Sequence, residues 1–405
     1  MESLKINKIN KTVNGTIQIT GSKSETNRLL ILQQFYKNLK IENVSNSDDS
    51  VLMQKALAST SNEINIGHAG TAMRFLTAFF AVKENSEIIL TGSGRMKDRP
   101  IKILVEALTA LGADIQYVEK EGFPPLKISG KKLTNNFVEI DGHISSQYIS
   151  ALLLIAPTLE KGLQLQFKGE VTSVPYIKMT LQLLAELGIS YTWENNVISI
   201  APKPVIENAT VVVESDWSSA SYYFSLVALS PNSQVTLSSY KKTSLQGDAV
   251  LAKIYEHFGV QTTFKENAII IANQQTAINN QQPLTLDLKS APDIAQTIAV
   301  TCFGLGMECF LSGLHTLKIK ETDRLVALKN EIEKLGGEVE ITNETLHLKP
   351  STIFKQNISI ATYDDHRMAM AFAPLAIKVA LEIEDANVVS KSYPTFWDDF
   401  SKVTR

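Results

Sequence analysis

The feature that most constrains this chain is a repeat. Leu108-Thr109-Ala110-Leu111-Gly112-Ala113 returns as Leu184-Ala185-Glu186-Leu187-Gly188-Ile189, as Tyr255-Glu256-His257-Phe258-Gly259-Val260 and as Ile332-Glu333-Lys334-Leu335-Gly336-Gly337. The four glycines Gly112, Gly188, Gly259 and Gly336 are 76, 71 and 77 residues apart. Each stands where a helix needs a left-handed residue to stop it. After each comes an extended segment, a polar turn such as Glu194-Asn195-Asn196 or Lys265-Glu266-Asn267, and a second extended segment. A helix followed by a hairpin is therefore predicted four times.

A second marker alternates with the first: a polar cluster opening an apolar helix rich in small residues. The clusters are Ser22–Arg28, Gly70–Arg74, Ser145–Tyr148, Ser218–Ser221, Pro292–Gln296 and Asp365–Met370. Taking Ser24, Thr71, Ser146, Ser219, Asp293 and His366 as markers, the spacings are 47, 75, 73, 74 and 73. The short first interval has a location, since Val51–Ile66 leaves no room for a hairpin. We read six βαβαββ-like units, the first truncated. These helices are apolar nearly all round after their first turn, so they should be buried. Their unpaired N–H groups then need caps or a bound anion. Ser24, Thr71, Ser146 and Ser219 suit capping, and Ser218–Ser221 reads as a capping cluster and nothing more.

Six units divide into two sets of three, and the chain's 405 residues favour two domains. The predicted domains are residues 1–20 with 215–405, and an inserted domain of residues 21–214, with the active site in the cleft between them. The extended N-terminal residues would complete the last unit. Net charge is −3, which invites neither nucleic acid nor an anionic membrane. Cys302 and Cys309 lie in the apolar run Ala299–Phe310, without a CxxC spacing; they read as core thiols and argue against zinc or a disulfide framework. With no apolar signal core near Met1 and no run of roughly 20 apolar residues, a cytoplasmic protein is expected.

The chemistry is concentrated in short charged stretches. Lys318–Arg324 holds three cations and two carboxylates in seven residues. Glu321 and Asp323 suit a first helical turn, and a buried Lys320–Glu321 pair would supply acid–base chemistry. Gly21–Arg28 has the look of an anion loop but lacks the second glycine of a Walker A motif. Gly67–Arg74 repeats the theme; His68 reads equally as a ligand contact or a turn residue. Arg95–Pro100 places three cations ahead of a helix that Pro100 could start. One of Arg95 and Arg99 is expected to pair with Asp98 or Glu106, leaving the other for an anion. Taken singly, each of these cations reads as a solvated charge. Facing one cleft, Lys23, Arg28, Arg99, Lys320, Arg324, Arg367 and Lys391 would bind multiply charged small anions. Asp293, Glu321 and Asp365 are the carboxylates available there to move protons.

In order and spacing, GSKSETNR, GHAGTAMRF, RMKDRPI, DGHISSQY, SAPDIAQ, KETDRL and YDDHRMAM resemble the signatures of the 5-enolpyruvylshikimate-3-phosphate synthase family. The resemblance covers the whole chain apart from the missing first hairpin. It implies an α/β (α+β) fold: a two-domain inside-out barrel of six βαβαββ repeats around buried helices, first repeat truncated. It also implies transfer of enolpyruvyl from phosphoenolpyruvate to the 5-hydroxyl of shikimate 3-phosphate, a step of aromatic amino acid biosynthesis, without metal or cofactor. Those two small molecules would be the partners of a monomer.

Carried over residue by residue, the resemblance gives Lys23, Ser24, Arg28, Ser145, Ser146, Gln147, Ser173, Asp293 and Lys320 to shikimate 3-phosphate, with Tyr176 nearby. It gives Lys23, Gly70, Arg99, Gln147, Arg324, Arg367 and Lys391 to phosphoenolpyruvate. Asp293, beside Lys320, would accept the hydroxyl proton; Glu321 would protonate the methylene carbon; Lys23 would serve both substrates. Thr316, His68 and Phe75 depart from the family pattern, the last two beside the phosphoenolpyruvate pocket. The lost hairpin is expected to trim stability more than turnover. Two rival readings are a UDP-N-acetylglucosamine enolpyruvyl transferase and a non-catalytic binder of phosphorylated ligands. Arg95–Arg99 lacks the cysteine typical of the first, and the acid–base residues disfavour the second.

Overall fold

The computed structural model describes residues 2–10, 12–171, 174–274 and 282–404. The chain divides into two compact units, residues 1–20 with 214–405 and residues 21–213. In the unit of residues 21–213, the helices Lys23–Phe35, Gly70–Val82 and Ser146–Ile155 carry the buried faces. In the other unit the corresponding helices are Trp217–Leu229, Ala295–Leu305 and His366–Phe372. Alternation along the strands fits this layout; Leu163–Lys168 buries Leu163, Leu165 and Phe167 and turns the residues between them outward.

One sheet pattern recurs. A strand lies parallel to its neighbour, which then pairs antiparallel with the second strand of a hairpin. Glu63–Asn65, Glu87–Thr91, Leu126–Ser129 and Asp114–Tyr117 form one such sheet. Phe137–Asp141, Leu163–Lys168, Val197–Ile200 and Tyr191–Glu194 form another. In the other unit Asn14–Ile17 joins Ser233–Ser238, Ala268–Asn273 and Gln261–Phe264, and Leu284–Asp287 joins Cys309–Ser312, Leu346–Leu348 and Val339–Ile341. The truncated repeat stands out: Leu39–Glu42 pairs only with Ala209–Val212, and residues 59–62 alone link helix Asp48–Ala58 to the next strand. The last sheet is completed from the other end of the chain, where Leu4–Ile6 runs antiparallel to Leu381–Ile383.

All four repeat glycines have positive φ: Gly112 106°, Gly188 73°, Gly259 77° and Gly336 105°. A residue with a Cβ is strained there, so glycine ends each helix and lets the chain turn into its hairpin. The third such helix is broken into single turns, Gly247–Val250, Leu251–Ile254 and Tyr255–Phe258. The expected apolar helix Met368–Ala376 also changes form, tightening into a 3-10 turn over Ala373–Ile377. Pro374 lacks the N–H that would continue the α ladder.

Capping differs from expectation. The cap before Ser146 is Ser145, whose side chain accepts from Gln147 N, and the cap before Ser219 is Asp216. Ser24 and Thr71 lie inside the first turn, behind Ser22 and Ala69, neither of which makes a side-chain cap bond. Cys302 and Cys309 are buried thiols. Among the described residues no helix is long and apolar enough to cross a membrane.

Candidate active site

In the unit containing residues 214–405, three of the expected cations meet around one carboxylate. Asp293 sits in the single turn Pro292–Ile294 that leads into the buried helix Ala295–Leu305. Its Oδ1 lies 3.0 Å from Arg324 Nη1 and 3.5 Å from Lys320 Nζ, and its Oδ2 lies 3.2 Å from Arg367 Nη2. Arg324 is the hub. Its side chain is only 2% exposed, and besides Asp293 it donates from Nε to Asp365 Oδ2 at 2.6 Å and from Nη2 to Glu321 Oε2 at 2.8 Å. Three carboxylates around one buried guanidinium supply the compensation that burying a charge demands.

Local sequence explains the placement. Asp323 caps helix Arg324–Leu335, accepting from Leu325 N and Val326 N, so Arg324 is held at the first helical position. Glu321 consequently lies before the helix rather than in its first turn. Lys320 and Glu321 do not form the buried pair expected of neighbours: Lys320 turns to Asp293 and Glu321 to Arg324, with side chains 35% and 34% exposed. The chain bends at residues 320–322, after the 3-10 turn His315–Ile319, and the two neighbouring side chains take different partners. Both remain open to a ligand. Asp365 caps the last buried helix through Arg367 N at 2.8 Å, which places Arg367 one turn from the hub. Lys391 Nζ donates to the Asp364 carbonyl at 2.6 Å, one residue from that cap.

Arg367 differs from Arg324 in what it has left to give. Its Nη2 faces Asp293 and Ser218 Oγ, but its buried Nε and Nη1 have no hydrogen-bond partner among the described residues. Buried N–H groups in that state are costly unless something accepts from them. Sequence reasoning missed two residues here. Ser218, read as part of a capping cluster, contacts Arg367 at 3.3 Å and donates to Asp248. Asp248 itself is buried, and burial together with the nearby Asp293 charge pushes its carboxyl up to about 6. Nothing in Gln246-Gly247-Asp248 marks that role; it depends on a partner 30 residues away.

The unit of residues 21–213 gathers a second set. Arg99 rests on Gly70, at the start of helix Gly70–Val82. Arg74, one turn on, donates to Gly70 O and Pro100 O, both at 3.1 Å, and so ties the Arg99 segment to the helix end. Pro100 does not start a helix. Its carbonyl is taken by Arg74 and by Tyr148 Oη at 2.5 Å, and the helix begins at Lys102. Glu106 lies 3.9 Å from Lys102 Nζ, an i, i+4 partner better placed than either arginine. Gln147 Nε2 reaches Thr71 Oγ1 at 3.2 Å, linking the starts of two buried helices.

Arg28 is more committed than its sequence suggests. Its guanidinium donates to Thr180 Oγ1, Ser24 O, Ser150 Oγ and Tyr176 O, and lies 5.4 Å from the centre of the buried Phe75 ring. Burial pushes its pKa down to about 10, which leaves it a cation at neutral pH. Lys23 Nζ is 4.0 Å from Asp49, Ser146 is buried and Ser145 exposed, as is His68. Thr316 is half-buried, with its hydroxyl oxygen buried and unpartnered among the described residues. Ser173 lies outside the described residues.

The chain as a whole has relatives among known proteins. A family model for EPSP synthase (3-phosphoshikimate 1-carboxyvinyltransferase) matches residues 34–400. The chain belongs to the EPSP synthase family. It is 44% identical over 395 residues to a 3-phosphoshikimate 1-carboxyvinyltransferase of Bacteroides fragilis, covering 96% of this chain and 95% of the relative. To the protein of that name from Histophilus somni it is 34% identical, with both chains covered in full. The fold is that of the EPSP synthase from Acinetobacter baumannii, at a TM-score of 0.83 and 18% identity over 100% of this chain and 98% of that one. The enolpyruvyl transferase NikO from Streptomyces tendae superimposes at a TM-score of 0.73 and 13% identity, over 99% of this chain and 97% of that one.

Proposed function

We propose that the two groups of residues serve one reaction, enolpyruvyl transfer, with the acid–base work done by Asp293 and Glu321. The protein is a transferase of the shikimate pathway: it moves the enolpyruvyl group of phosphoenolpyruvate to the 5-hydroxyl of shikimate 3-phosphate and releases inorganic phosphate. The observation that carries the site reading is Arg367. A buried guanidinium with two unspent nitrogens beside Asp293, Lys320 and Glu321 is a seat for an anion next to a proton donor and acceptor.

The chemistry follows from charge. Addition of the 5-hydroxyl to phosphoenolpyruvate needs a proton taken from oxygen and one delivered to the methylene carbon. Elimination then returns that carbon proton as phosphate departs. Asp293 takes the hydroxyl proton with Lys320 beside it, and that proton passes to the departing phosphate, which leaves as hydrogen phosphate and restores the Asp293 carboxylate. Glu321 delivers the carbon proton and removes it again, as microscopic reversibility requires of a single acid–base group. Arg324, Arg367 and Lys391, together with Gly70, Arg99 and Gln147, are the residues we assign to phosphoenolpyruvate. A carboxylate or phosphate arriving there competes with Glu321 and Asp293 for arginine N–H groups. Binding therefore releases both carboxylates from their strongest partners and makes them better bases. Lys23, Ser24, Arg28, Ser145, Ser146, Gln147 and Ser173 receive shikimate 3-phosphate, and Lys23 serves both substrates. We further take the protein to act as a cytoplasmic monomer.

The deciding experiment is phosphate release from phosphoenolpyruvate with shikimate 3-phosphate, run beside UDP-N-acetylglucosamine. Release with the first and none with the second is expected. Release with the UDP-sugar alone would overturn the reaction assigned here, and release with neither would make the chain a binder.

A further inference from the structure

The Arg367 guanidinium has one end fixed from two sides. Nη2 donates to Ser218 Oγ at 3.3 Å and stands at ion-pair distance, 3.2 Å, from Asp293 Oδ2. A directed hydrogen bond from one side and an ion pair from the other restrict how the planar group can turn. Nε and Nη1 are buried and have no hydrogen-bond partner among the described residues.

Ser218 can accept from Arg367 in a defined direction because its own proton is committed. Its hydroxyl donates to Asp248 Oδ2, which leaves its lone pairs for Arg367. Ser218 is the one side chain of the thirteen in helix Trp217–Leu229 that is not buried, and it points into this chain of contacts. Asp248 is held just as firmly. Gln246, two residues earlier, accepts from Trp217 N at 2.9 Å and donates to Ser215 O at 3.0 Å, fastening the turn Gly247–Val250 to the start of that helix. A buried carboxylate facing another carboxylate is a costly arrangement for stability. It places a second carboxylate behind Ser218, linked through that hydroxyl to Arg367.

We propose that Asp248 is a positioning residue for the reaction: acting through Ser218 Oγ, it fixes the plane of the Arg367 guanidinium so that Nε and Nη1 are pre-aimed at an anionic group of phosphoenolpyruvate. The proposal rests on the reading of Arg367 as a phosphoenolpyruvate contact. The charged and titratable groups around Arg367 include Asp293, Asp248, Asp216, Tyr222 and the cation Arg324. Asp216 is engaged in capping Ser219, which leaves Asp248 as the carboxylate that reaches Arg367 through Ser218.

The test is steady-state kinetics with each substrate varied separately, for wild type, Asp248→Ala, Asp248→Asn, Ser218→Ala, the Asp248→Ala/Ser218→Ala double variant and Arg367→Gln. Asp248→Ala and Ser218→Ala should each raise KM for phosphoenolpyruvate about tenfold, the size of one charge-linked hydrogen bond, with KM for shikimate 3-phosphate changed less than about twofold. Asp248→Asn keeps an acceptor for Ser218 and should recover much of the loss. The double variant should be no worse than the worse single one, because both changes break the same relay. Thermal melts identify any variant that fails to fold, and Ser218→Ala, which removes only a hydroxyl, then carries the test alone. If Arg367→Gln raises KM for phosphoenolpyruvate while Asp248→Ala and Ser218→Ala do not, or if both substrates weaken equally, the proposal is overturned. If Arg367→Gln itself leaves that KM unchanged, the premise about Arg367 fails and the proposal goes with it.

Discussion

The Arg99 guanidinium lies directly against Gly70: a methyl group on the Gly70 Cα would stand 2.5 Å from Arg99 Nη1. Glycine is thus required here for close approach, and the neighbour that must give way is the mobile end of a side chain. Gly70→Ala should therefore fold normally and melt within a few degrees of wild type, but displace Arg99. KM for phosphoenolpyruvate should rise about tenfold or more, while KM for shikimate 3-phosphate stays close to its starting value. Equal weakening of both substrates would assign Arg99 elsewhere.

Glu321→Gln keeps the shape of the side chain and an oxygen for Arg324, yet loses the transferable proton. Turnover should fall on the order of a hundredfold or more, with both KM values little changed. A loss confined to KM would make Glu321 an electrostatic support for Arg324 and not the acid.

Arg324 holds three carboxylates, so its removal strands charge. Arg324→Met should destabilise its unit by about 3–5 kcal/mol, the usual consequence of breaking a buried ion pair from one side. Urea melts report this directly. Adding Asp365→Asn should recover part of the loss, because the remaining buried carboxylate no longer lacks a cation; failure to recover would mean that Asp365 is served by another partner.

Asp248 makes the stability of its unit pH-dependent in a stated direction. Its folded pKa of about 6 lies above the ordinary 3.8, so between about pH 4 and pH 6 the native chain binds the proton more tightly than the unfolded chain does. The contribution is complete below that window and is lost as pH rises through about 6. Asp248→Asn cannot titrate. Its melting temperature relative to wild type should rise across the window and level off above it, and a flat difference from pH 4 to 7 would contradict the assignment.

How far the sequence could be read depended on the range of the interactions. The four terminating glycines and their hairpins were legible, because a left-handed residue and a polar turn are local requirements. The truncated repeat was legible for the same reason: too few residues separate Asp48–Ala58 from Glu63–Asn65. Caps were misread by one to three residues, since Ser22-Lys23-Ser24 and Asp216-Trp217-Ser218-Ser219 each offer several capable side chains and only geometry selects one. The Lys320–Glu321 pairing failed because adjacency in sequence does not mean adjacency of side chains. Arg28's commitment to Thr180 and Ser150 and Asp248's line to Arg367 join distant repeats, and no local pattern encodes them.

The strand Leu4–Ile6, paired with Leu381–Ile383, has a consequence for how the protein is made. Synthesis proceeds from the first residue onward, so this ribbon leaves the ribosome hundreds of residues before its partner exists. Residues 21–213 can finish their own three sheets in the meantime. The unit that bears Asp293, Arg324 and Arg367 closes only with the final stretch of translation, so a chain released early has the first unit's sheets but lacks the strand that closes the second.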